Sequence, residues 1–169
     1  MMKTIQFSLL MSLLAVLLCA CDHVNNKEVP AYVVRIDLGT HAMWSTYGVS
    51  GVGDHRYFNR EMGVPQNFPF NANTHTGYGG VLLMMALDAS TGNYEPVAYD
   101  GACPVENVQS TVVGINDKLE AVCPKCGSRY NVLTGLGGPI DGVAHKSNYG
   151  LRIYKVRQSG SGGYVITNN

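Results

Sequence analysis

The sequence predicts a small all-β domain, either a sandwich or a barrel. Glycine and tyrosine are abundant, at 20 and 10 of the 169 residues, and this composition suits short strands and tight turns. After residue 80, short apolar runs alternate with turn residues, and no segment has a convincing helical period. A chain of this length can bury a core of its own without a metal or disulfides. We therefore expect a single all-β domain.

The first element is an export signal over residues 1–20. It has one early lysine and then an apolar run from Leu9 to Leu18, shorter than the about 20 residues that span a bilayer. The tetrapeptide Leu18-Cys19-Ala20-Cys21 resembles the bacterial lipobox, which implies that Cys21 is lipidated and becomes the mature N-terminus. The alternative is an ordinary secretory signal in which the two cysteines are incidental.

Lipidation at Cys21 predicts a protein of the bacterial cell envelope, anchored to the lipid membrane outside the cytoplasm. Residues 21–30 are polar and end in a proline, so we expect a tether between the membrane and a domain that spans residues 31–169. Disulfides can persist in this compartment. The mature domain keeps Cys103, Cys123 and Cys126, an odd number that leaves either a free thiol or a bound metal.

The first half of the domain gives a mixed signal. Residues 31–38 are apolar and β-branched, as in a strand. Residues 39–80 have no clear period, and we expect short strands or a packed Ω-type excursion there, because long structureless loops are uncommon in compact domains. Residues 79–100 hold a continuous apolar run from Val81 to Leu87, turn residues and a second apolar segment, which predicts a β-hairpin.

The second half reads as strands separated by turns. Residues 110–122 predict a hairpin that turns at Asn116-Asp117, and residues 129–133 a further strand. The glycine-rich residues 134–142 contain Pro139 and predict a loop. Two more strands, 151–156 and 164–167, follow, and we expect the last to close the sheet.

The cysteines lie in two loops, each at the end of a predicted strand. Cys103 follows the strand of residues 96–100, and the sequence Cys123-Pro-Lys-Cys126-Gly127 follows residues 118–122. In the second loop the glycine permits a tight turn, and backbone N–H groups can point at the first sulfur. This arrangement suits thiolates bound to iron or zinc. Two such loops at one edge of a sheet form a tip that can clasp a small group.

From about Tyr99 to Val156 the chain resembles the Rieske domain family. Members carry one loop of the form Cys-x-His and a second of the form Cys-Pro-x-His-Gly-Ser-x-aromatic, followed by a Thr-Gly…Gly-Pro loop and Leu-x-x-Tyr-x-Val. This chain has Cys103-Pro104-Val105, then Cys123-Pro-Lys-Cys-Gly-Ser-Arg-Tyr130, Thr134-Gly135, Gly138-Pro139 and Leu151-Arg-Ile-Tyr-Lys-Val156. The resemblance implies a Rieske-like sandwich or barrel with a cysteine-loop subdomain at about residues 99–140.

The resemblance also implies a ligand set with one gap. In the family, two cysteines bind one iron of a [2Fe–2S] cluster and two histidines bind the other. Cys103 and Cys123 stand at the cysteine positions, and Cys126 stands at the second histidine position, where it can still bind a metal. Val105 stands at the first histidine position and cannot. The fourth ligand stays unknown; the candidates are Glu106, beside the gap, and His145, His75 and His55.

Three outcomes remain open for these cysteines. The first is an atypical iron–sulfur centre, whose extra thiolate would lower the reduction potential relative to a histidine-ligated cluster. The second is zinc, held by three thiolates and a fourth ligand. The third is no metal, with Cys103 joined by a disulfide to Cys123 or Cys126. A catalytic dithiol is the weakest reading of the Cys-x-x-Cys motif, because that chemistry favours a helix N-terminus.

Two functions follow from these outcomes. One is an electron carrier that passes electrons to a redox protein partner in the envelope. The other is a structural or interaction lipoprotein that keeps the fold without a cluster. The formal charge is zero and there is no basic stripe, which argues against nucleic acid. We find no hydrolase triad order, phosphate-binding glycine loop or nucleophile elbow, so we expect no enzyme activity and identify no small-molecule substrate.

Overall fold

Short antiparallel strands dominate the computed structural model, which describes residues 23–87, 91–134 and 136–168. The all-β prediction is confirmed. In the described residues the regular elements are β1 (Val34–Thr40), α1 (His41–Tyr47), β2 (His55–Phe58), β3 (His75–Thr76), β4 (Val81–Leu87), β5 (Tyr94–Asp100), β6 (Gly114–Ile115), β7 (Glu120–Val122), β8 (Arg129–Asn131), β9 (Gly138–Asp141), α2 (Gly142–Ser147), β10 (Ile153–Gln158) and β11 (Gly162–Thr167). Residues 1–22, with the predicted signal and Cys21, lie outside the described residues.

The larger sheet has the strand order β2-β4-β5-β10-β11-β1-β3 and forms a nearly closed antiparallel barrel. Its β4–β5 pair, in register from Val81 opposite Asp100 to Leu87 opposite Tyr94, confirms the predicted hairpin. The side chains of β4 are nearly all buried, as expected of a continuous apolar run. Strand β11 pairs with both β1 and β10, so the C-terminal strand does complete the sheet.

The smaller sheet, in the order β6-β7-β8-β9, carries the cysteine-bearing tip. Strands β6 and β7 form the hairpin predicted over residues 110–122, with Gly114 opposite Val122. The turn lies where expected, because Asn116 N–H donates to Glu120 O at 3.0 Å. Strand β8 follows the second cysteine loop and is shorter than predicted, with three residues.

The prediction of a plain loop over residues 134–142 is wrong. Its second half forms β9, where Pro139 lies opposite Tyr130 at the edge of the sheet, a position that tolerates proline. Helix α2 follows, with the Asp141 side chain accepting from Gly142 N–H and Asn148 ending the helix in the left-handed conformation. Six helical residues are fewer than two turns, too few for a helical period to appear in the sequence.

Residues 39–80 contain the expected short strands, β2 and β3, and also a helix that the sequence did not predict. Helix α1 begins after Thr40, whose side chain accepts a hydrogen bond from Met43 N–H. Trp44 packs against Tyr164 of β11, with ring centroids 4.4 Å apart. The helix is therefore held by one cap and by packing on the sheet, neither of which produces a local sequence period.

The apolar interior is divided into two clusters, and β10 contributes to both. Tyr154 and Val156 belong to the cluster inside the barrel, whereas Leu151 and Ile153 belong to the cluster between the two sheets. The second cluster also includes Cys103 and Cys123. The cysteine-bearing tip is thus packed onto the main sheet through a shared core.

Residues 23–30, part of the predicted tether, lie against the domain. Val29 is fully buried, and Arg152 donates hydrogen bonds from its guanidinium to Val29 O at 2.7 Å and to Lys27 O at 3.1 Å. Whether the segment connects the domain to a membrane stays a prediction.

Within the described residues, the search for a helix long and apolar enough to cross a membrane found none.

Candidate metal centre

Two backbone-braced loops position the three cysteines. The first, between β5 and β6, is held because Cys103 N–H donates to Thr111 O and Asn107 N–H donates to Cys103 O, both at 2.9 Å. The second, between β7 and β8, is held by a bond from Gly127 N–H to Cys123 O at 3.0 Å. Gly127 has a φ of 70°, which favours glycine and explains the predicted tight turn.

The loops bring all three predicted site residues together. The Sγ atoms of Cys103, Cys123 and Cys126 lie within 4.8 Å of one another, and those of Cys103 and Cys126 are 3.7 Å apart. All three are free thiols in this structure. Three sulfurs at this spacing form a group that can bind a metal ion.

The cysteines differ in exposure and acidity. Cys103 and Cys123 are fully buried, whereas Cys126 is only partly buried. Burial raises the pKa of the Cys103 thiol to about 12, and the hydrogen bond with Tyr130 only partly opposes this. Burial also acts to raise the pKa of Cys126, but hydrogen bonds with Ser128 and the neighbouring thiols outweigh it, so the net shift is downward. Cys126 is therefore the most accessible thiol of the group, and its lowered pKa makes it more readily ionised than Cys103.

Ser128 and Tyr130 complete the polar surroundings of the sulfurs. Ser128 Oγ lies 3.2 Å from Cys126 Sγ, and the Tyr130 hydroxyl lies 3.5 Å from Cys103 Sγ. Ser128 Oγ also accepts from Ala144 N–H of α2 at 3.1 Å. We did not predict these two residues as part of the site. The available signal was their spacing from Cys126. Ser128 and Tyr130 follow it by two and four residues in a segment that enters a strand, and side chains at this spacing lie on one face.

The candidate fourth ligands do not join the group. The Glu106 carboxylate is paired with Lys125, whose Nζ lies 2.5 Å from Glu106 Oε2. His145 Nδ1 lies 3.4 Å from Pro139 O, and His55 Nδ1 lies 3.1 Å from Gly53 O. His75 is in β3, in the other sheet. Within the part of the chain that the structure describes, the group consists of the three cysteines alone.

A buried carboxylate fixes the start of the first cysteine loop. Asp100 accepts from the N–H groups of Tyr78, Gly79 and Ala102 at 2.8–3.0 Å, and from the Tyr154 hydroxyl. Burial raises the pKa of Asp100, and these hydrogen bonds oppose that shift. Because Ala102 directly precedes Cys103, the carboxylate ties the position of the first cysteine to β10.

No family model, no curated protein and no solved structure matches this chain.

Proposed function

We propose that this chain is a Rieske-like, lipid-anchored protein of the bacterial envelope that binds one metal ion through Cys103, Cys123 and Cys126, and that iron at this site makes it an electron carrier. The observation that carries the proposal is the convergence of the three sulfurs within 4.8 Å, contributed by two separate loops. Cys126 stands at a ligand position of the Rieske motif, and its thiolate preserves that position as a ligand.

The [2Fe–2S] cluster implied by the resemblance does not fit these residues. Such a cluster takes four protein ligands, two on each iron, and Val105 occupies one of those positions. Cys126 would have to bind the second iron, away from the sulfurs on the first. Its Sγ instead lies 3.7 Å from that of Cys103. Two thiolates on one tetrahedral ion, with bonds of about 2.3 Å, are separated by about 3.8 Å.

A single ion with three thiolates does fit. In the ionised site, the Tyr130 hydroxyl donates its hydrogen bond to Cys103 Sγ. The Ser128 oxygen already accepts from Ala144 N–H, which leaves the hydroxyl proton free to donate to Cys126 Sγ. Hydrogen bonds to sulfur withdraw charge from the thiolate and raise the reduction potential of a bound iron. Iron held by these three residues would supply the one-electron chemistry.

The competing function is a structural lipoprotein that holds no metal. The separation of 3.7 Å between Cys103 Sγ and Cys126 Sγ supports it, because modest movement of one loop would permit a disulfide. The protein would then use its β-domain as a rigid module, with the bridge joining the two loops of the tip.

Anaerobic reconstitution distinguishes these functions. The chain is treated with ferrous iron, ferrous iron plus sulfide, or zinc, and bound iron, zinc and acid-labile sulfide are quantified. We expect one iron per chain without sulfide, reversible one-electron oxidation of that ferrous iron by an added oxidant, and thiolate-to-iron charge-transfer absorption in the ferric state. Zinc alone would support the metal site and overturn the electron carrier. Two irons with two sulfides would overturn the single ion. No metal, with one cystine, would establish the structural alternative.

A pair of variants tests the sulfur ligands: one removes a sulfur, and the matched control leaves all three in place. Cys126→Ser replaces the partly exposed thiol by a hydroxyl of similar size, whereas Val105→Ala changes a non-ligating side chain in the facing loop. We expect Cys126→Ser to weaken metal binding more than about tenfold. Removing even a hydrogen-bond partner of a metal ligand lowers metal affinity about 10–100-fold, and this variant removes a ligand itself. Val105→Ala should bind metal as the unmodified chain does.

A further inference from the structure

The N-terminal segment is fastened to one particular surface of the domain. Asn25 N–H donates to Asn148 O at 2.8 Å, and the Asn148 side chain donates to His23 O at 2.8 Å. The Asn26 side chain donates to Leu151 O at 2.6 Å and to Leu136 O at 3.3 Å. Residues 23–26 are therefore held beside the excursion formed by residues 136–148, which contains β9 and α2.

This attachment leaves almost no free chain between the domain and the proposed lipid anchor. Only Asp22 separates Cys21 from His23. Two residues span at most about 7 Å even when fully extended. An acyl group on Cys21 would therefore start within about 7 Å of His23, whose carbonyl accepts a hydrogen bond from the Asn148 side chain. A flexible tether of ten residues would have let the domain take any orientation relative to its anchor. The bound segment, residues 23–26, restricts that orientation.

Apolar side chains are exposed on the same excursion. Leu136, Ile140 and Val143 are exposed by 65%, 39% and 47%. Single exposed apolar residues are ordinary on protein surfaces. Here three fall within the eight residues 136–143, on the excursion against which residues 23–26 are held. Lys146 follows in the last turn of α2, where a cation suits lipid phosphates.

We propose that Leu136, Ile140 and Val143, which we call the docking face, contact the lipid bilayer and fix the orientation of the domain on the membrane. This inference rests on the proposed lipidation of Cys21. The occupant is the bilayer because the lead from His23 is too short to hold this surface away from the lipid headgroups. A second protein would have to fit between the docking face and the bilayer, and the short link to the acyl chains leaves no room for it there.

Docking in this way also sets the position of the metal centre. Ala144 N–H of α2 contacts Ser128 Oγ at 3.1 Å, and that oxygen lies 3.2 Å from Cys126 Sγ. The partly exposed thiolate is therefore two hydrogen-bond lengths from the helix that carries Val143. The centre would be held beside the membrane surface, within reach of a membrane-bound redox partner.

Lipid-borne quenching of tryptophan fluorescence tests the docking face. The lipidated full chain is placed in vesicles of phosphatidylethanolamine and phosphatidylglycerol that contain brominated lipid. Leu136→Trp is compared with Ser161→Trp, both in a Trp44→Phe background. Ser161 is exposed in the β10–β11 turn, at the far end of a six-residue strand about 20 Å long. We expect loss of fluorescence for Leu136→Trp and little change for Ser161→Trp. Equal quenching would overturn docking.

A second measurement needs no tryptophan replacement. Hydrogen exchange of the otherwise unmodified lipidated chain should show backbone amides of residues 136–148 protected in vesicles relative to detergent micelles. Inserting a six-residue Gly-Ser linker between Asp22 and His23 lengthens the connection to the anchor and should reduce this protection. Replacing the three apolar side chains of the docking face by serine should reduce it as well. Unchanged exchange in vesicles would overturn the proposal.

Failure of the anchor is separated from failure of docking by mass spectrometry of the purified chain. If Cys21 carries its acyl groups and the docking face is neither quenched nor protected, docking is wrong and the anchor stands. If Cys21 carries no lipid, both the anchor and the docking that rests on it are overturned. The metal measurements on the same sample are independent of either result.

Discussion

Lys125 Nζ lies 2.5 Å from Glu106 Oε2 and so links the two cysteine-bearing loops by an ion pair at the surface of the tip. The lysine side chain is 65% exposed and the glutamate side chain 15% exposed. The interaction raises the pKa of Lys125. An ion pair with one exposed partner contributes little to stability, so its main effect is to occupy the carboxylate of Glu106, which follows Val105 in the sequence.

Glu106→Gln should therefore leave the metal stoichiometry unchanged. The Glu106 carboxylate is already paired with Lys125 and is not part of the three-sulfur group. Metal content after reconstitution, measured by elemental analysis, and affinity, measured by competition with a chelator, should match those of the unmodified chain. Loss of the metal in this variant would identify Glu106 as the fourth ligand. Lys125→Met serves as the control that breaks the same ion pair without removing the carboxylate.

Introducing the two histidines of the Rieske motif should change the kind of centre. Val105→His combined with Cys126→His supplies two imidazoles beside Cys103 and Cys123, the ligand set that holds a [2Fe–2S] cluster. With iron and sulfide, we expect two irons and two sulfides per chain and a higher reduction potential than that of the unmodified chain. Val105→His alone should not bind two irons, because Cys126 still lies beside Cys103. If neither variant acquires sulfide, the resemblance does not extend to the geometry of the ligands.

Metal-free protein should form a Cys103–Cys126 disulfide under mild oxidation. Cys126 is the accessible thiol with the lowered pKa, and its Sγ is 3.7 Å from that of Cys103. Diamide takes up the two electrons and two protons released by the dithiol, and peptide mapping locates the cystine. Bound metal should prevent the reaction, because both sulfurs are then ligands. A Cys123–Cys126 cystine would contradict the expected pairing, and Cys126→Ser is the control.

Tyr154→Phe should destabilise the fold in a pH-dependent way. The Tyr154 hydroxyl donates to the buried Asp100 carboxylate, and a hydrogen bond to a charged group contributes about 1.5–3 kcal/mol. Urea denaturation at pH 7 should show a loss of this order. The Tyr154 hydroxyl bonds to Asp100 and is not part of the three-sulfur group, so metal stoichiometry should be retained in the folded variant.

The pH dependence follows from the raised pKa of Asp100. A carboxyl whose pKa is higher in the folded state adds stability that is complete below its unfolded pKa of about 3.9 and is lost as the pH rises through the folded pKa. The hydrogen bond from Tyr154 lowers that folded pKa, so removing it raises the pKa further. The difference in stability between the two proteins should shrink as the pH falls. A difference independent of pH would mean that Asp100 is uncharged in the folded protein at pH 7.

Several strands could be predicted because their signal is local. The apolar run Val81–Leu87 and the turn residues after it specify β4, β5 and their pairing within about 20 residues of chain. The cysteine loops were also local signals, since a proline and a glycine shape the turn around Cys123 and Cys126. Helix α2 and strand β9 were missed for the opposite reason. They are held by a cap, by pairing with β8 and by the bond from Ala144 to Ser128.

The amino-acid order by itself determined the fold class, the main hairpins and the three candidate sulfur ligands, because apolar periodicity, turn residues and thiol chemistry act over a few residues. Tertiary structure alone decided that Cys103 lies beside Cys126 and where the N-terminal segment lies. The bond from Asn26 to Leu151 joins residues 125 apart, and the contact between Cys103 and Cys126 joins residues 23 apart. Such contacts form only when separate strands pack around a shared core, so the local sequence pattern does not predict them.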